Sequence, residues 1–388
     1  MNNPIPALHG PLEAPAAPGQ VLTPAAPPGA LQEAQRALET LRGVADDHAA
    51  HRISERTTGL YAADWAHFTA WCSLGGLDPL PATVDAVRLY LADLSLQVDP
   101  DGAHSYKPST MERRLASISH YHRAAGHTTP TRDPKVVAVL TGIRRARGTA
   151  RRQMRPLLLE DVKAILATLP LGTYPTGVAA VRDAFVLLAG FAGAFRRSEL
   201  AALTHGDLEW TAYDGLTIRL ARSKTDQAGA GRIVPLPFGE HPGTCPVCAY
   251  VRWATVMVAA DRGRTDAIRA VLATPAWEDW THVCREGIPE IPPDVPLVRA
   301  VRRNGTLEGP VTGDALHQVI KRRAAIAGYR RTVGFHSLRA GFVTQARRNG
   351  ADPRAIRRQT GHGSDAMVEV YDREWVPLEG NAVKQLGL

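Results

Sequence analysis

The stretch GFHSLRAGFVTQARRNG, residues 334–350, predicts a helix with one polar and one apolar face. His336 and Arg339 are one helical turn apart on the same face, and Phe342 and Val343 face a core. Such a pair also occurs on ordinary surface helices. Its meaning therefore depends on the residues that the rest of the chain supplies.

A second arginine lies upstream, in FAGAFRRSELAAL, residues 191–203. Arg196 and Glu199 share a helix face, which on a surface would make an ion pair worth a few tenths of a kcal/mol. Arg196 follows an almost wholly apolar run, however, and this places it at the mouth of a buried region. A buried arginine needs a carboxylate or phosphate partner.

The segment GLTIRLARSKTDQAGAGRIVPLP, residues 215–237, predicts a β-hairpin with a long tip. Leu216, Ile218 and Leu220 alternate with polar residues, and apolar residues resume at Ile233. Lys224 lies on the tip, where an exposed lysine is the ordinary interpretation.

Near the C-terminus, GHGSDAMVEVYDR, residues 361–373, places His362 nine residues before Tyr371. The residues from Asp365 onward are typical of a short helix, and Tyr371 falls on its last turn. Taken singly, most histidines and tyrosines are structural.

The ordered set is more specific than its parts. It runs Arg-x-x-Glu-Leu, hairpin Lys, His-x-Leu-Arg, Gly-His and then Tyr. In order, spacing and residue type it resembles the tyrosine recombinase (phage integrase) family, over about residues 50–388. The resemblance is motif-specific in the second half and only architectural in the first.

The resemblance implies a catalytic role for each residue of the set. Arg196 is preferred over Arg197 by its spacing to Glu199, and Arg222 is the rival of Lys224. The implied roles are Tyr371 as nucleophile, Arg196 and Arg339 as a clamp on the scissile phosphate, Lys224 as the acid for the leaving 5′ oxygen, His336 in proton transfer, His362 as a hydrogen-bonding partner of the phosphate, and Glu199 as a buttress.

Elementary chemistry supports these roles. Phosphodiester cleavage builds negative charge on non-bridging oxygens, which planar, permanently charged guanidinium groups match. A phenol with a pKa of about 10 is a poor nucleophile at neutral pH and needs a base, such as an imidazole. A 3′-phosphotyrosine keeps the energy of the cleaved bond. We therefore expect no ATP, metal or other cofactor, in keeping with the absence of a P-loop motif.

The chain is expected to be mainly α with a small β-sheet or hairpin. Residues 1–48 are expected to be a disordered Pro/Ala-rich tail with a possible helix. Helical patterns over 49–147 predict a helical domain, which the resemblance implies to be a SAM-like core-DNA-binding domain. Residues 148–155 form a basic linker. Residues 156–388 form a mixed α+β catalytic domain, and the resemblance implies that its end, 375–388, docks in trans on a neighbouring subunit.

The net charge of +8 suggests a polyanionic partner, with nucleic acid the first choice. The run RRARGTARRQMR, residues 144–155, carries six arginines and is either a solvated linker or a DNA contact. The candidate DNA-binding residues lie on the exposed face of the third helix, for which Ser109 is the expected N-cap, and in or near this run: Lys107, Arg113, Arg114, Arg144, Arg145, Arg147, Arg151 and Arg152.

The pair CPVC, residues 245–248, is half of a zinc motif, and the other half is missing from the sequence pattern. Only Cys284 and scattered histidines such as His241 and His282 remain, so a loop with a buried cysteine is preferred and no metal is expected. No stretch of about 18 apolar residues predicts a membrane span. No secretory signal is seen, and the few cysteines fit a reducing cytoplasm.

The resemblance implies a site-specific recombinase that integrates, excises or inverts DNA. Its partners would be double-stranded recombination sites, bound by a homotetramer in the synaptic complex and by a monomer or weak oligomer before that. The location would be cytoplasmic, at the nucleoid. A type IB-like topoisomerase or a telomere resolvase would share the chemistry, and a non-catalytic DNA-binding protein could keep the fold.

Overall fold

The computed structural model describes residues 30–50, 54–148, 154–220, 231–274, 276–329, 333–364 and Met367. Packing divides the chain into two compact units, Met1–Arg151 and Arg152–Leu388. The division falls inside the predicted basic linker, 148–155. Within the described residues, every helix is too short or too polar to cross a lipid bilayer.

The first unit is helical. Its helices are α1 (Ala30–Ala50), α2 (Glu55–Leu74), α3 (Val84–Leu96), α4 (Pro108–Ala124) and α5 (Pro134–Arg147). Side chains of Ser54, Thr83 and Asp133 accept backbone N–H groups at the starts of α2, α3 and α5, which satisfies donors that a helix leaves unpaired. The core between these helices includes Phe68, Tyr90, Leu91, Met111 and Ile118.

The expected N-cap of α4 is wrong. The helix begins at Pro108, and Lys107, not Ser109, is the N-cap residue, without a side-chain hydrogen bond. A proline at the first helical position has its φ already set for the helix and lacks one of the N–H groups that would otherwise need a partner.

The second unit is mixed. Its helices are α6 (Leu159–Leu166), α7 (Thr176–Ala192), α8 (Arg197–Ala202), α9 (Pro246–Asp261), α10 (Thr265–Val271), α11 (Gly313–Ile326), α12 (Phe335–Arg348) and α13 (Pro353–Thr360). Helix α7 is buried along most of its length because its sequence is apolar on all sides, apart from Arg182 and Asp183, which pair with each other. It packs against α9 and α12 and forms the centre of the unit.

The predicted hairpin is present. Strands β2 (Gly215–Leu220) and β3 (Arg232–Pro237) pair antiparallel, with Ile218 opposite Val234. Strand β1 (Leu208–Thr211), which the sequence patterns did not predict, pairs with β2 and completes a three-stranded sheet. A separate pair is formed by β4 (Arg299–Val301) and β5 (Leu307–Pro310). The expected class, mainly α with a small β-sheet, is confirmed.

Candidate active site

Helix α12 carries the first two site residues on its opening turns. Arg339 is almost fully buried, at 1% exposure, and its Nη1 donates to the carbonyl oxygen of Ala194 at 2.7 Å. His336, one turn earlier, is accessible to solvent. The predicted arrangement of this pair on one helix face is what the structure shows.

The partner of Arg339 lies in a strained turn between α7 and α8. Ala194 has a φ of +48°, in the left-handed region that residues with a Cβ avoid at a cost of about 1–2 kcal/mol. This conformation directs the Ala194 carbonyl toward Arg339 and starts the run that leads through Phe195 to Arg196. The turn therefore brings the two arginines of the site together. Arg196 follows Ala194 by two residues, and Arg339 donates to the Ala194 carbonyl oxygen.

Glu199 holds Arg196 in place. Arg196 is the N-cap residue of α8, and its Nη1 donates to Glu199 Oε1 at 2.5 Å, while its backbone N donates to Oε2 at 2.9 Å. The Glu199 side chain is 3% exposed. A buried carboxylate is costly without hydrogen-bonding partners, and the backbone N–H and the guanidinium group of Arg196 both serve as partners here. Glu199 therefore holds Arg196 at two points.

A third arginine, which the sequence analysis missed, shares this carboxylate. Arg232 begins β3, and its Nη2 lies 3.3 Å from Glu199 Oε2, while its Nη1 donates to the Gln359 carbonyl oxygen. The signal was present, because the two-residue period of a strand puts Arg232 on the same face as the buried Val234 and Leu236. An arginine on the apolar face of a strand indicates a buried acceptor.

His362 lies just after α13, where Gly361 ends the helix in a left-handed conformation with φ +67°. A side chain is disfavoured at this position, and a Cβ would also lie 3.0 Å from Arg232 Cδ. The His362 side chain is mostly buried, with its Nδ1 2.9 Å from Thr360 Oγ1.

The Thr360 contact defines the tautomer of His362. Thr360 Oγ1 donates its one proton to the Ile356 carbonyl oxygen at 2.8 Å, so it can only accept from His362 Nδ1. Neutral His362 therefore carries its proton on Nδ1, and its Nε2 bears the lone pair.

The electrostatic surroundings keep both histidines neutral. Burial, and then the charges of Arg339, Arg196, His336 and Arg232, lower the pKa of His362 to about 3. Desolvation, followed by Arg339 and Arg196, also lowers the pKa of His336. The same arginines act on both imidazoles, so the fold gathers Arg196, His336, Arg339 and His362 into one site. Three guanidinium groups and a single carboxylate make that site suited to an anion.

This pKa gives the second unit a measurable pH dependence. Above about pH 6.5 His362 is neutral in both folded and unfolded chains, so it contributes no dependence. Between about pH 6.5 and 3 the unfolded chain binds a proton that the folded chain does not, so the free energy of unfolding falls as the pH falls. Between about pH 7.5 and pH 5, we expect the free energy of unfolding of the wild type to fall by about 1–2 kcal/mol more than that of His362→Gln.

Urea unfolding of both proteins, from about pH 7.5 to about pH 5, measures this difference in the free energy of unfolding. His241→Gln, which alters an exposed histidine of the same unit, is the control and should follow the wild type. Parallel curves for wild type and His362→Gln would contradict the buried, neutral imidazole.

Several predicted residues lie outside the described residues. These are Tyr371, Lys224 and its rival Arg222, the docking segment 375–388, and Arg151 and Arg152 of the linker. Their positions and roles stay predictions.

The two candidate DNA-binding arginines of α4 have intramolecular partners. The expectation that Arg114 is exposed is wrong: it is 7% exposed, donates to Tyr90 Oη at 2.6 Å and lies 4.3 Å from the centre of the Tyr106 ring. Arg113 makes a two-pronged hydrogen bond to Asp64, at 2.8 and 2.9 Å. Both residues tie α4 to its neighbours within the first unit.

The arginines at and near the linker differ in their intramolecular partners. Arg144 pairs with Glu112 at 2.6 Å, and Arg147 donates to the backbone oxygens of Tyr106 and Ser95. Arg145 and Lys107 are exposed, with no ion pair to another described residue. Contact of these two side chains with a phosphate backbone stays a prediction.

The CPVC pair has two potential metal ligands beside it that its sequence pattern did not reveal. The fold brings His282 and Cys284 to Cys245 and Cys248, with all four ligand atoms within 4.8 Å of one another. Sequence spacing did not reveal this, because more than thirty residues separate the two pairs and the second is His-x-Cys.

Comparison with known proteins gives one extensive sequence match. The integrase/recombinase XerD homolog of Selenomonas ruminantium is 30% identical over 338 residues, which cover 86% of this chain and 86% of that protein. No model of a known protein family matches the chain.

Solved structures show weaker likenesses. The Tn1549 transposon integrase in complex with transposon right end DNA is 15% identical, with a TM-score of 0.48 over 84% of this chain and 92% of that one. A lambda integrase dimer bound to a COC′ core site is also 15% identical, with a TM-score of 0.47 over 85% and 93%. The sequence match bears most on identity, because it extends over most of both chains.

Proposed function

Because this chain belongs to the tyrosine recombinase (phage integrase) family and is a site-specific DNA recombinase, we propose that it cleaves and rejoins DNA strands through a 3′-phosphotyrosyl intermediate on Tyr371. The observation that carries the proposal is that Arg196, His336, Arg339 and His362 lie close enough to influence one another electrostatically, with Arg196 held by the carboxylate of Glu199. We propose that this group of side chains binds one phosphodiester group.

The arginines are proposed to hold the scissile phosphate. Arg196 and Arg339 are fixed from behind, by Glu199 and by the Ala194 carbonyl. Guanidinium groups held in this way stabilise the charge that develops on the non-bridging oxygens without reorganising during the reaction. Arg232 contacts the far oxygen of Glu199 and the carbonyl of Gln359, so we assign it a positioning role.

The two histidines are proposed to have different roles. His336 is accessible and has a lowered pKa, so it is a neutral imidazole able to accept the phenolic proton of Tyr371. His362 can donate from Nε2 only after it takes up a proton, since its Nδ1 proton is directed to Thr360. A bound phosphate, being negative, raises the pKa of His362 and favours that uptake.

The proposed chemical step conserves the phosphodiester bond energy. The Tyr371 oxygen attacks phosphorus and loses its proton to His336, and the bond from phosphorus to the 5′ oxygen breaks. Lys224 supplies the proton to that leaving oxygen, which gives a 5′-hydroxyl and a 3′-phosphotyrosine. A 5′-hydroxyl from a second strand reverses the step and completes the exchange.

The partners follow from this reaction. We propose that the chain binds double-stranded recombination sites as a monomer or weak oligomer, and that four copies pair two sites in a synaptic homotetramer. Residues 375–388 would dock on the neighbouring copy. A DNA substrate also implies a cytoplasmic, nucleoid-associated location. Any accessory protein that sets direction is unknown.

A plasmid assay tests the proposed function. The substrate carries two direct copies of the DNA that flanks the protein's own gene, and the buffer contains no ATP and no added divalent cation. The proposal predicts an excised circle that depends on both copies. Relaxation of a plasmid without exchange between the copies would indicate topoisomerase activity and contradict it.

The charge of the first unit gives a further prediction. We expect the double variant Lys107→Gln, Arg145→Gln to bind DNA about tenfold more weakly near 0.1 M salt, with a slope of log affinity against log salt flatter by about 1–2. Arg88→Gln, whose side chain pairs with Asp85, is the control and should bind as the wild type does.

Arg114→Gln should behave differently from both. It should lower the free energy of unfolding by about 2–4 kcal/mol, because Tyr90 and Tyr106 lose a buried partner, while the salt slope stays the same. Fluorescence anisotropy across a salt series measures the DNA affinity of all three variants, and urea unfolding measures the stability of Arg114→Gln. An unchanged slope in the double variant would mean that these two side chains do not contact phosphate.

A further inference from the structure

We infer that Cys245, Cys248, His282 and Cys284 form a tetrahedral zinc site that stabilises the second unit. The inference is independent of the recombination chemistry and rests on four potential ligands brought together by the fold. Cys245 and Cys248 lie at the start of α9, as its N-cap and within its first turn. His282 and Cys284 come from the irregular segment between α10 and β4.

Three of the six distances between the ligand atoms are close to those around a tetrahedral zinc ion, and all six are within 4.8 Å. With Zn–S near 2.3 Å and Zn–N near 2.05 Å, the edges of a tetrahedron are about 3.8 Å for S···S and about 3.6 Å for S···N. The structure has 3.9 Å between Cys245 Sγ and Cys284 Sγ. It has 3.4 and 3.7 Å from His282 Nδ1 to Cys248 Sγ and Cys284 Sγ. A disulfide would need the sulfur atoms about 2.05 Å apart.

The groups behind the ligands are arranged as a metal site requires. His282 Nε2 lies 3.3 Å from the Glu240 carbonyl oxygen, which can only accept, so its proton is on Nε2 and Nδ1 presents its lone pair to the sulfur atoms. The backbone N–H groups of Gly239 and Cys248 donate to Cys245 Sγ at 3.2 and 3.4 Å. Donors aimed at sulfur stabilise a thiolate.

Gly239 allows this close approach of backbone to sulfur. A Cβ at Gly239 would lie 2.7 Å from Cys245 Cα, so only glycine fits beside the cysteine. The loop after β3 is thus shaped around the first ligand.

Charge and burial favour a closed, structural site. The three cysteines are fully buried in the core of the second unit, and His282 is half-buried. Zn²⁺ with three thiolates carries one net negative charge. Arg252 is placed to offset it, since it lies one helical turn after Cys248 on α9 and its Nη2 donates to the Thr281 carbonyl oxygen beside His282 at 3.0 Å. Four protein ligands leave no position for substrate.

The stabilising role follows from what the ligands join. Residues 281–298 form neither a helix nor a strand, apart from one isolated bridge at Pro296. Such a segment gains little from backbone pairing, so metal bonds to His282 and Cys284 fasten it to α9 and to the loop after β3. Binding replaces the thiol protons of the cysteines with bonds to zinc and involves no redox change.

The test is metal analysis of the full-length protein, purified without a polyhistidine tag. Mass spectrometry of metal content should find about one zinc per chain. Cys248→Ser and Cys284→Ser should lower that content at least about tenfold and lower the Tm by about 5 °C or more. Cys72→Ser, which changes a buried thiol of the first unit outside the cluster, is the matched control and should keep its zinc.

A measurement on the wild type keeps the test valid if the variants fail to fold. Exchange of the bound metal for Co²⁺ should give the thiolate charge-transfer and tetrahedral d–d absorption bands of a sulfur-rich site. Zinc below about 0.1 per chain after expression in zinc-supplemented medium would overturn the inference. A Cys245–Cys284 disulfide in the protein as purified would overturn it as well.

Discussion

Replacing Tyr371 by phenylalanine is expected to abolish covalent attachment to DNA and strand exchange, by about four orders of magnitude or more. The variant removes one oxygen atom, which in the proposed reaction forms the bond to phosphorus. We expect the site to stay assembled, since the variant keeps the contacts of Arg196 with Glu199, of Arg339 with the Ala194 carbonyl oxygen and of His362 with Thr360. DNA binding should therefore change by less than about threefold.

The matched control for this variant is Tyr213→Phe. Tyr213 lies in the turn between β1 and β2 of the same unit and is 93% exposed, so its loss should affect neither activity nor stability. Denaturing gels of nicked substrates, run beside binding assays, separate the two effects. A Tyr371→Phe protein that still formed the adduct would place the nucleophile on another residue.

Replacing Arg339 by lysine is expected to slow cleavage by about 10²–10³-fold. The guanidinium group is planar and forked, and one of its nitrogens is already committed to the Ala194 carbonyl. The compact ammonium of lysine cannot satisfy that carbonyl and reach the phosphate from the same direction. We expect Arg339→Lys to lower the free energy of unfolding by less than a substitution that removes the charge, because a positive charge is kept beside the buried carbonyl oxygen.

The control for Arg339→Lys is the same exchange at Arg348, in the last turn of the same helix. Single-turnover cleavage rates, measured with Tm values for both variants, separate a defect in chemistry from one in folding. A rate for Arg339→Lys within about threefold of the wild type would show that no planar group is needed at this position.

Local periodicity was enough to predict the parts of the site that lie within single elements. The common face of His336 and Arg339 follows from helical spacing. The spacing of Arg196 and Glu199 predicted their pairing but not its form, because Arg196 is the extended N-cap residue of α8 and Glu199 reaches back to it from the first turn. The hairpin followed from the alternation that places Ile218 opposite Val234.

Contacts between distant elements could not be predicted in this way. Arg232 meets Glu199 only because the fold brings the start of β3 within reach of α8, and the exposed position expected for Arg114 ignored Tyr90, which a different helix supplies. His282 reaches Cys248 across more than thirty residues of irregular chain. Each of these misses involves a buried polar group whose partner is far away in sequence.

The tautomer of His362 is a further feature that no motif reports. It depends on the Thr360 hydroxyl, whose own proton is fixed by the Ile356 carbonyl. A Gly-His motif gives the residue type but not the nitrogen that carries the proton, and that detail decides whether His362 donates to phosphate before or after it is protonated.

The most direct test of the central claim is to trap the intermediate and locate the bond. The protein is incubated, without ATP or added divalent cations, with DNA from the flanks of its own gene that is nicked near candidate sites, so that the leaving strand diffuses away. Covalent complexes are then digested with protease, and the modified peptide is sequenced by mass spectrometry. The account predicts a 3′-phosphonucleotide on Tyr371 and none in the Tyr371→Phe variant. Recombination that proceeds with the adduct on a different residue, or with no adduct at all, would contradict it.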